Sequence, residues 1–442
     1  MHEPSVPNEI PHRYLPRSSR AGLILGAMVA VGLIAFVARL TVDPDRAWQA
    51  YVSNWLFFAS VAQGAIILAA ATTITKAKWN WSLRRIALAF GAFLPVAFVL
   101  FLPMLTLGED YFTWIGYMEH DEIVQKKAAY LNLPFLISRN VVGLLLLFGL
   151  SLYFVYLGLR PDLGQSPSES EDDPGRRAWR ERLTPGWAGR EREEVRSWRR
   201  MTVLAPALVL VFAVVMSIIS IDYAMSLEPH WFSMLFPGWF FMGAFWGGIG
   251  AVTLTALYLK KRDSAMDEAV GPEQLHDLGK LVFGFSIFWM YLFFSQYLVI
   301  WYGKLPWEQE WLIHRTGETW GGLSLLVIIL CFVLPFAGLI GKKPKLDPRW
   351  LGTFTVLALV GLWLERYLLI APSLHDGSGA PFTLWEPLIG LLFLGAFLGT
   401  LRWFLSTFPL LQSWQPMGQP EMVEAEVARA PGTADRGSAA TE

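Results

Sequence analysis

The sequence predicts an all-α polytopic membrane protein of about ten transmembrane helices, and three observations carry that prediction. The chain contains a row of apolar stretches, each close to the ~20 residues a helix needs to cross the hydrocarbon core. Its composition, 54% hydrophobic, 14% aromatic and only 17% charged over 442 residues, is too apolar for a soluble chain of that length. Its basic residues crowd every second connection between the stretches.

The stretches run Ala21 to Leu40, Tyr51 to Thr75, Ile86 to Leu105, Leu136 to Leu159 and Met201 to Met225. The second half adds Phe232 to Leu259, Leu281 to Tyr302, Leu323 to Gly341, Leu351 to Ile370 and Leu388 to Phe408. The edges near Pro103 and Pro134 are the softest, since Ser138, Arg139 and Asn140 dilute the apolar signal there. The first stretch lacks a small-residue cleavage site after a short apolar core, so it reads as a retained anchor.

The net charge of -1 conceals the segregation. Arg13, Arg17 and Arg20 precede the first helix, Lys76, Lys78, Arg84 and Arg85 fill the second connection, and ten arginines lie between Arg160 and Arg200. Lys260, Lys261 and Arg262 mark the sixth connection and Lys342, Lys343, Lys345 and Arg349 the eighth. The alternate connections are poor in base, with none between Ile221 and Trp231. Cytoplasmic loops carry the Lys/Arg excess, which places both termini in the cytoplasm.

The expected organisation is a cytoplasmic arm over residues 1–20, helices 1 to 4 over 21–159, a basic, disordered cytoplasmic loop over 160–200, helices 5 to 10 over 201–408, and a disordered cytoplasmic tail over 409–442. The stretch from Pro161 to Pro185 and the tail from Pro416 are polar and lack periodicity, as mobile material does.

Missing residue types restrict the chemistry. A lone Cys331 in an apolar helix cannot hold an iron–sulfur cluster, which needs several thiolates, and reads as a small core residue. None of the seven histidines, His2, His12, His120, His230, His276, His314 and His375, falls inside an apolar stretch, so no facing pair can ligate a haem. There is no phosphate-cradling glycine loop and no HExxH. No catalytic or metal-binding residue is assigned, and redox centres are expected in partners.

Costly polar residues mark the candidate site. Between the fifth and sixth stretches, Ser220 to Ser233 carries Asp222, Glu228 and His230 with too few polar neighbours for a solvated loop. An unpaired charge in the membrane costs ~2.5 to 3.5 kcal/mol, so such groups tend to mark proton or substrate paths. A cap at Glu228 and a backbone bond from His230 are the structural alternative, which leaves Asp222 unexplained. At 100° per residue Tyr291, Ser295 and Tyr302 share one face of the seventh helix, a possible hydrogen-bonded lining. Tyr302, Trp301, Trp307 and Trp311 also suit an interfacial aromatic belt. Glu308 follows them, and Glu365 and Arg366 lie inside the ninth stretch; adjacent residues point about 100° apart, so each is expected to pair with a group on another helix, unless Arg366 snorkels outward. The candidate proton path is therefore Asp222, Glu228, His230, Tyr291, Ser295, Tyr302, Glu308 and Glu365, with supporting charge from Arg139 and Arg366. Gly243, Gly247, Gly248 and Gly250 include a G-x-x-x-G spacing that suits close helix packing.

Two segments carry a resemblance: Asp222 to Phe232 (DYAMSLEPHWF) with the glycine-rich helix after it, and Phe294 to Pro306 (FSQYLVIWYGKLP) with Glu308. They resemble the signature segments of the quinone-binding ActF family of membrane subunits in bacterial alternative complex III, itself similar to the NrfD and polysulfide-reductase membrane anchors. The chain departs from that pattern in having Trp307 where the first of two adjacent acids stands, which leaves a role for that acid unsupported unless Glu310 takes its place. The resemblance implies two four-helix bundles, helices 2 to 5 and 6 to 9, with the first and last helices peripheral. It implies a quinol-oxidising complex of the bacterial inner membrane that passes electrons to cytochrome c or an oxidase. It also implies as partners an iron–sulfur subunit, a multihaem cytochrome c subunit, a sister NrfD-like membrane subunit and a terminal oxidase. Quinone or quinol is the implied ligand, haem and iron–sulfur clusters belong to the partners, and membrane lipids rather than nucleic acid surround the chain.

Three readings stay open: a quinone-binding or proton-conducting subunit of that complex rather than a stand-alone enzyme, an ion-coupled secondary transporter, and a structural scaffold. A transporter predicts inverted repeats with broken helices around a midplane site, and the two halves of the chain show no convincing match.

Overall fold

The computed structural model describes residues 10, 12–165, 173–375 and 380–414. Among these, ten helices are long and apolar enough to span a bilayer: α1 (Ser19–Val42), α2 (Pro44–Ile74), α3 (Arg84–Thr106), α4 (Leu133–Gly164), α5 (Arg190–Leu227), α6 (Leu235–Arg262), α7 (Pro272–Gly303), α8 (Gly321–Leu339), α9 (Pro348–Leu374) and α10 (Trp385–Thr407). The described residues contain no strand.

Local chemistry sets the starts. Ser18, Asp43 and Asp347 accept N–H bonds from the first turns of α1, α2 and α9, and Pro44, Pro272 and Pro348 occupy first-turn positions, where a missing N–H costs nothing. Proline also explains the irregular helices. In α3, Pro95 and Pro103 sit beside two 3-10 segments, Phe90–Phe93 and Leu102–Thr106. In α8 a π-turn over Ile329–Val333 stands just before Pro335, whose missing donor disturbs the ladder there.

Helices α2 to α5 pack as one bundle and α6 to α9 as another, joined along α2 and α6; α1 and α10 pair at the edge. Glycine sets the joint. A Cβ on Gly248 would lie 2.2 Å from the backbone of Gly64 and Ala65, and one on Gly64 would lie 2.1 Å from the Ala244 carbonyl oxygen. At this crossing only glycine fits. The same device seats α1 on α10, where a Cβ at Gly32 would overlap the Leu392 backbone. Helix α2, shared by both bundles and the edge pair, is the most deeply buried of the ten.

The loop expected to be disordered over 160–200 is largely helical where it is described. α4 continues to Gly164, a short helix spans Pro174–Leu183, and α5 begins at Arg190. Asp173 caps that short helix, Trp179 packs edge-on against Trp403 and Phe408, and Arg176 donates to the Ser406 carbonyl. The arginine-rich composition hid one apolar anchor. The tail expected to be disordered from residue 409 is likewise packed down to Trp414: Leu410, Leu411 and Trp414 are buried, and Ser413 hydrogen-bonds Asp162, the buried partner of Arg85. Residues 166–172 of the loop, 415–442 of the tail and residues 1–9 and 11 of the N-terminal arm, including His2, lie outside the described residues.

Candidate functional site

The polar residues gather at the end of the bundles opposite the basic connections, in three clusters. The first joins α4 to α5. Asp222, fully buried in the last turns of α5, accepts from Arg139 Nε at 2.8 Å, Arg139 Nη2 at 2.6 Å, Asn140 Nδ2 at 2.5 Å and the Tyr130 hydroxyl at 3.0 Å. Arg139 also lies 3.8 Å over the Tyr130 ring. The polar patch Arg139-Asn140 that weakens the apolar signal of α4 is thus the partner Asp222 requires. Four donors fill the carboxylate's acceptor sites, a geometry that fixes two helices together. Asp222→Asn is expected to lower the thermal midpoint of the purified protein, with a loss of about 1 to 3 kcal/mol, because Arg139 keeps an acceptor but loses its counter-charge. An unchanged midpoint would show that the pair contributes nothing to stability.

The second cluster ties the α5–α6 connection to the second bundle. Glu228 Oε1 accepts from Ser373 Oγ at 2.6 Å and Arg315 Nη1 at 2.9 Å, with His314 Nδ1 at 3.4 Å. Arg315, buried, also donates to the carbonyls of Leu368, Leu369 and Trp311 and to Ser373 Oγ. Its guanidinium lies 4.2 Å over Trp311, which stacks at 4.2 Å on Trp231 of the signature segment. Burial pushes the Glu228 pKa up, but the Arg315 charge and the bonds from Ser373 and Arg315 outweigh it, and the net shift is downward. Burial lowers the Arg315 pKa against the pull of Glu228, yet a guanidinium keeps its proton in proteins. The pair is ionised.

His230 bonds Asp121 at 2.6 Å instead of a backbone carbonyl, and Lys127 donates to the Pro229 carbonyl. The hydrogen bond from His230, aided by N–H bonds from Val124 and Ile123, lowers the Asp121 pKa against a smaller effect of burial. These contacts clamp the α3–α4 connection over the signature segment.

The third cluster lies deeper. Glu365 and Arg366, 2% and 1% exposed in α9, pair with each other: Arg366 Nη1 reaches the two Glu365 oxygens at 3.0 and 2.8 Å, and Nη2 donates to the Phe240 carbonyl at 2.9 Å. Each was expected to need a partner on another helix; the carboxylate instead takes its neighbour, and only the arginine reaches across to α6. Gly243 makes room, since a Cβ there would lie 3.1 Å from Arg366 Nη2 and 3.8 Å from the Trp289 ring. Arg366 Nε, the indole nitrogens of Trp289 beside it and of Trp239 next to Trp289, and both amide atoms of Gln296 two turns further along α7 are buried without a protein partner. Ordered water binds such groups.

The structure does not bring the remaining candidates to these clusters. Tyr291, Ser295 and Tyr302 do share a face of α7, but it points outward, with Tyr291 62% and Tyr302 82% exposed, while Trp289, Gln296 and Ile300 face the core. Periodicity groups residues on a face without saying which way the face turns. Glu308 sits in the first turn of the helix Pro306–Thr316, where an acid complements the helix dipole, and Glu310 lies 3.9 Å from His314. His276, outside the apolar stretch, falls within α7 because that helix starts at Pro272. Ser373 and Asp121 were not anticipated. Ser373 stands just beyond the ninth apolar stretch and Asp121 in the middle of the connection between the third and fourth, where sequence offers no cue to a partner.

A cavity of about 310 Å³ opens beside the first cluster, with Lys127, Tyr130, Met225, Ser226, Trp231 and Phe232 among its walls. The Trp231 indole N–H is buried and unpartnered. Apolar walls with a few hydrogen-bonding groups fit the ring of a quinone. Among the described residues no group of three or more His, Cys, Asp or Glu side chains is placed to hold a metal ion.

Ten helices able to span a bilayer, packed in two bundles with buried charges paired inside them, define a polytopic integral membrane protein. Residues 41–375 match the sequence profile of the family described as polysulphide reductase, NrfD, and the chain belongs to that family. It is a membrane-anchor subunit of a quinol-oxidising respiratory oxidoreductase complex. No curated protein matches the chain.

Proposed function

We propose that this chain is the ActF-type membrane subunit of an alternative complex III, a quinol:cytochrome c or quinol:acceptor oxidoreductase of the bacterial inner membrane, and that it carries protons rather than electrons. Its basic end faces the cytoplasm, as the Lys/Arg asymmetry directs. An iron–sulfur subunit, a multihaem cytochrome c, a sister membrane subunit and a terminal oxidase complete the assembly and hold the redox centres.

One observation carries the proton role: the polar column along the outer half of α9. Glu365 lies buried in the helix, Arg315 holds the Leu368 and Leu369 carbonyls one turn further on, and Ser373 meets Glu228 and His314 at the end. From Glu365 to Ser373 the helix rises about 12 Å. The unpartnered Gln296, Trp239 and Trp289 groups supply polar atoms in the same bundle to which water can bind. Buried ionisable groups at membrane depth are retained where they move protons or ions. Asp222 belongs to a separate cluster beside the cavity, where Tyr130 and Ser226 are among the walls that would hold a quinone or quinol ring.

The assembly is tested by solubilising membranes that contain the tagged full chain. It is expected to co-purify with haem-containing polypeptides and quinol-dependent cytochrome c reduction. A chain that emerges alone, colourless and inactive toward quinol while still catalysing ion-coupled uptake in vesicles, is a transporter.

A further inference from the structure

We infer that the basic end of the first bundle carries a binding site for an anionic phospholipid, its phosphodiester held by Arg196 and Arg200 between α4 and α5. The site is a cavity of about 250 Å³ with three arginines and one carboxylate in its walls. Arg160 and that carboxylate, Glu193, neutralise each other: Nε and Nη2 of Arg160 reach the Glu193 oxygens at 2.7 and 3.0 Å. The other Arg160 donors are taken by the Tyr156 hydroxyl and the carbonyls of Leu183 and Pro185. Arg160 is a strut. The charge left outside an ion pair belongs to Arg196 and Arg200, both exposed: Glu193, one turn before Arg196, acts on it through space but bonds Arg160. Among the described residues, Arg200 donates to the Tyr153 hydroxyl at 3.4 Å.

Their place on α5 identifies the ligand as an amphiphile. Arg196, Arg200, Val203, Ala207, Leu210 and Val214 recur at intervals of three and four and so form one stripe along the helix. The stripe is cationic for its first turn and then apolar. Val203, Leu210 and Val214 are 74%, 66% and 50% exposed. Across the groove, Leu152 and Tyr153 of α4 are also exposed, and Tyr153 stacks on Tyr156 at the level of the arginines. Arg200 immediately precedes the apolar stretch that begins at Met201, so the two guanidinium groups lie at the depth of the lipid phosphates with the acyl chains continuing down the stripe. Basic pockets between membrane helices at the cytoplasmic surface suit acidic head groups, and arginine binds phosphate oxygens by bidentate bonds. Glu193 is occupied by Arg160 and offers nothing to a choline or ethanolamine ammonium. The pocket therefore selects a head group with no cation, such as a phosphatidylglycerol or a cardiolipin.

The test uses the intact complex in nanodiscs of phosphatidylcholine doped with phosphatidylglycerol, with bound lipid counted by native mass spectrometry and stability followed by thermal unfolding. The wild-type chain is expected to retain phosphatidylglycerol over phosphatidylcholine. The double variant Arg196→Gln/Arg200→Gln is expected to weaken that retention by about tenfold or more, given the worth of a basic residue near an anionic surface. Arg192→Gln/Arg199→Gln removes the same charge from the same helix outside the cavity, and should retain the lipid. Equal losses in the two double variants would mean diffuse attraction and overturn the site. Stabilisation by inorganic phosphate alone, as large as that by the lipid, would make it a free-anion site and overturn the lipid assignment. No retention by the wild-type complex would also refute the proposal, since the cavity would then be filled by a neighbouring subunit.

Discussion

Replacing Arg315 with alanine is expected to destabilise the second bundle by about 3 to 5 kcal/mol, the cost of leaving one member of a buried ion pair alone. The side chain closes four connections at once: the Glu228 carboxylate, the carbonyls of Leu368 and Leu369, the Ser373 hydroxyl and the Trp311 ring. Its loss strands Glu228 and frees the signature segment from α9. Arg315→Lys should recover only part, because a point charge cannot serve Glu228 and two carbonyls in one plane. Glu228→Gln gives the pH signature. The folded-state pKa of Glu228 is depressed, so its contribution is present above the ordinary value of 4.5 and is lost as pH falls through the folded value. The stability gap between wild type and Glu228→Gln should accordingly be full at neutral pH and close below pH 4.5. Thermal unfolding of the purified complex across that range measures it, and a gap that persists in acid would reject the ionised pair.

Replacing Gly248 with leucine is expected to separate the two bundles, at a cost of about 3 kcal/mol or more, since the overlap is with backbone and no rotamer relieves it. The Cβ alone would sit 2.2 Å from the Gly64 carbonyl carbon and the Ala65 nitrogen. Gly238→Leu in the same helix is the matched control, because a Cβ there meets nothing within 4 Å. Yield and elution volume after solubilisation read the outcome; equal behaviour of the two variants would show that the α2–α6 crossing does not hold the halves together.

The spans were legible because each records its solvent directly: apolar length finds all ten helices, and the misses are the polar first turns of α2, α5 and α7, which start at Pro44, Arg190 and Pro272, ahead of the apolar stretches at Tyr51, Met201 and Leu281. The G-x-x-x-G face on α6 was legible as packing, while its counterpart Gly64, itself four residues after Ser60 in α2, was not singled out. The acids were legible as costly residues, while their partners were not. Asp222 finds Arg139 across 83 positions and Glu228 finds Ser373 across 145, separations over which local pattern carries no information. The resemblance anticipated the two bundles and the edge pair of α1 and α10, an arrangement that no single helix encodes. The helix Pro174–Leu183 was missed because its fixed position depends on Trp179 meeting residues of the distant α10 end.

The central claim, that protons cross the outer half of the second bundle by way of Glu365, is tested most directly by proton release per electron in the complex reconstituted into vesicles. Glu365→Gln keeps size and a hydrogen-bonding group beside Arg366 but cannot exchange a proton at neutral pH. Glu365→Asp keeps the titratable group and controls for assembly. The account predicts that Glu365→Gln lowers the proton-to-electron ratio while quinol oxidation persists, and that Glu365→Asp restores it. A ratio in Glu365→Gln equal to that of the wild type would contradict it.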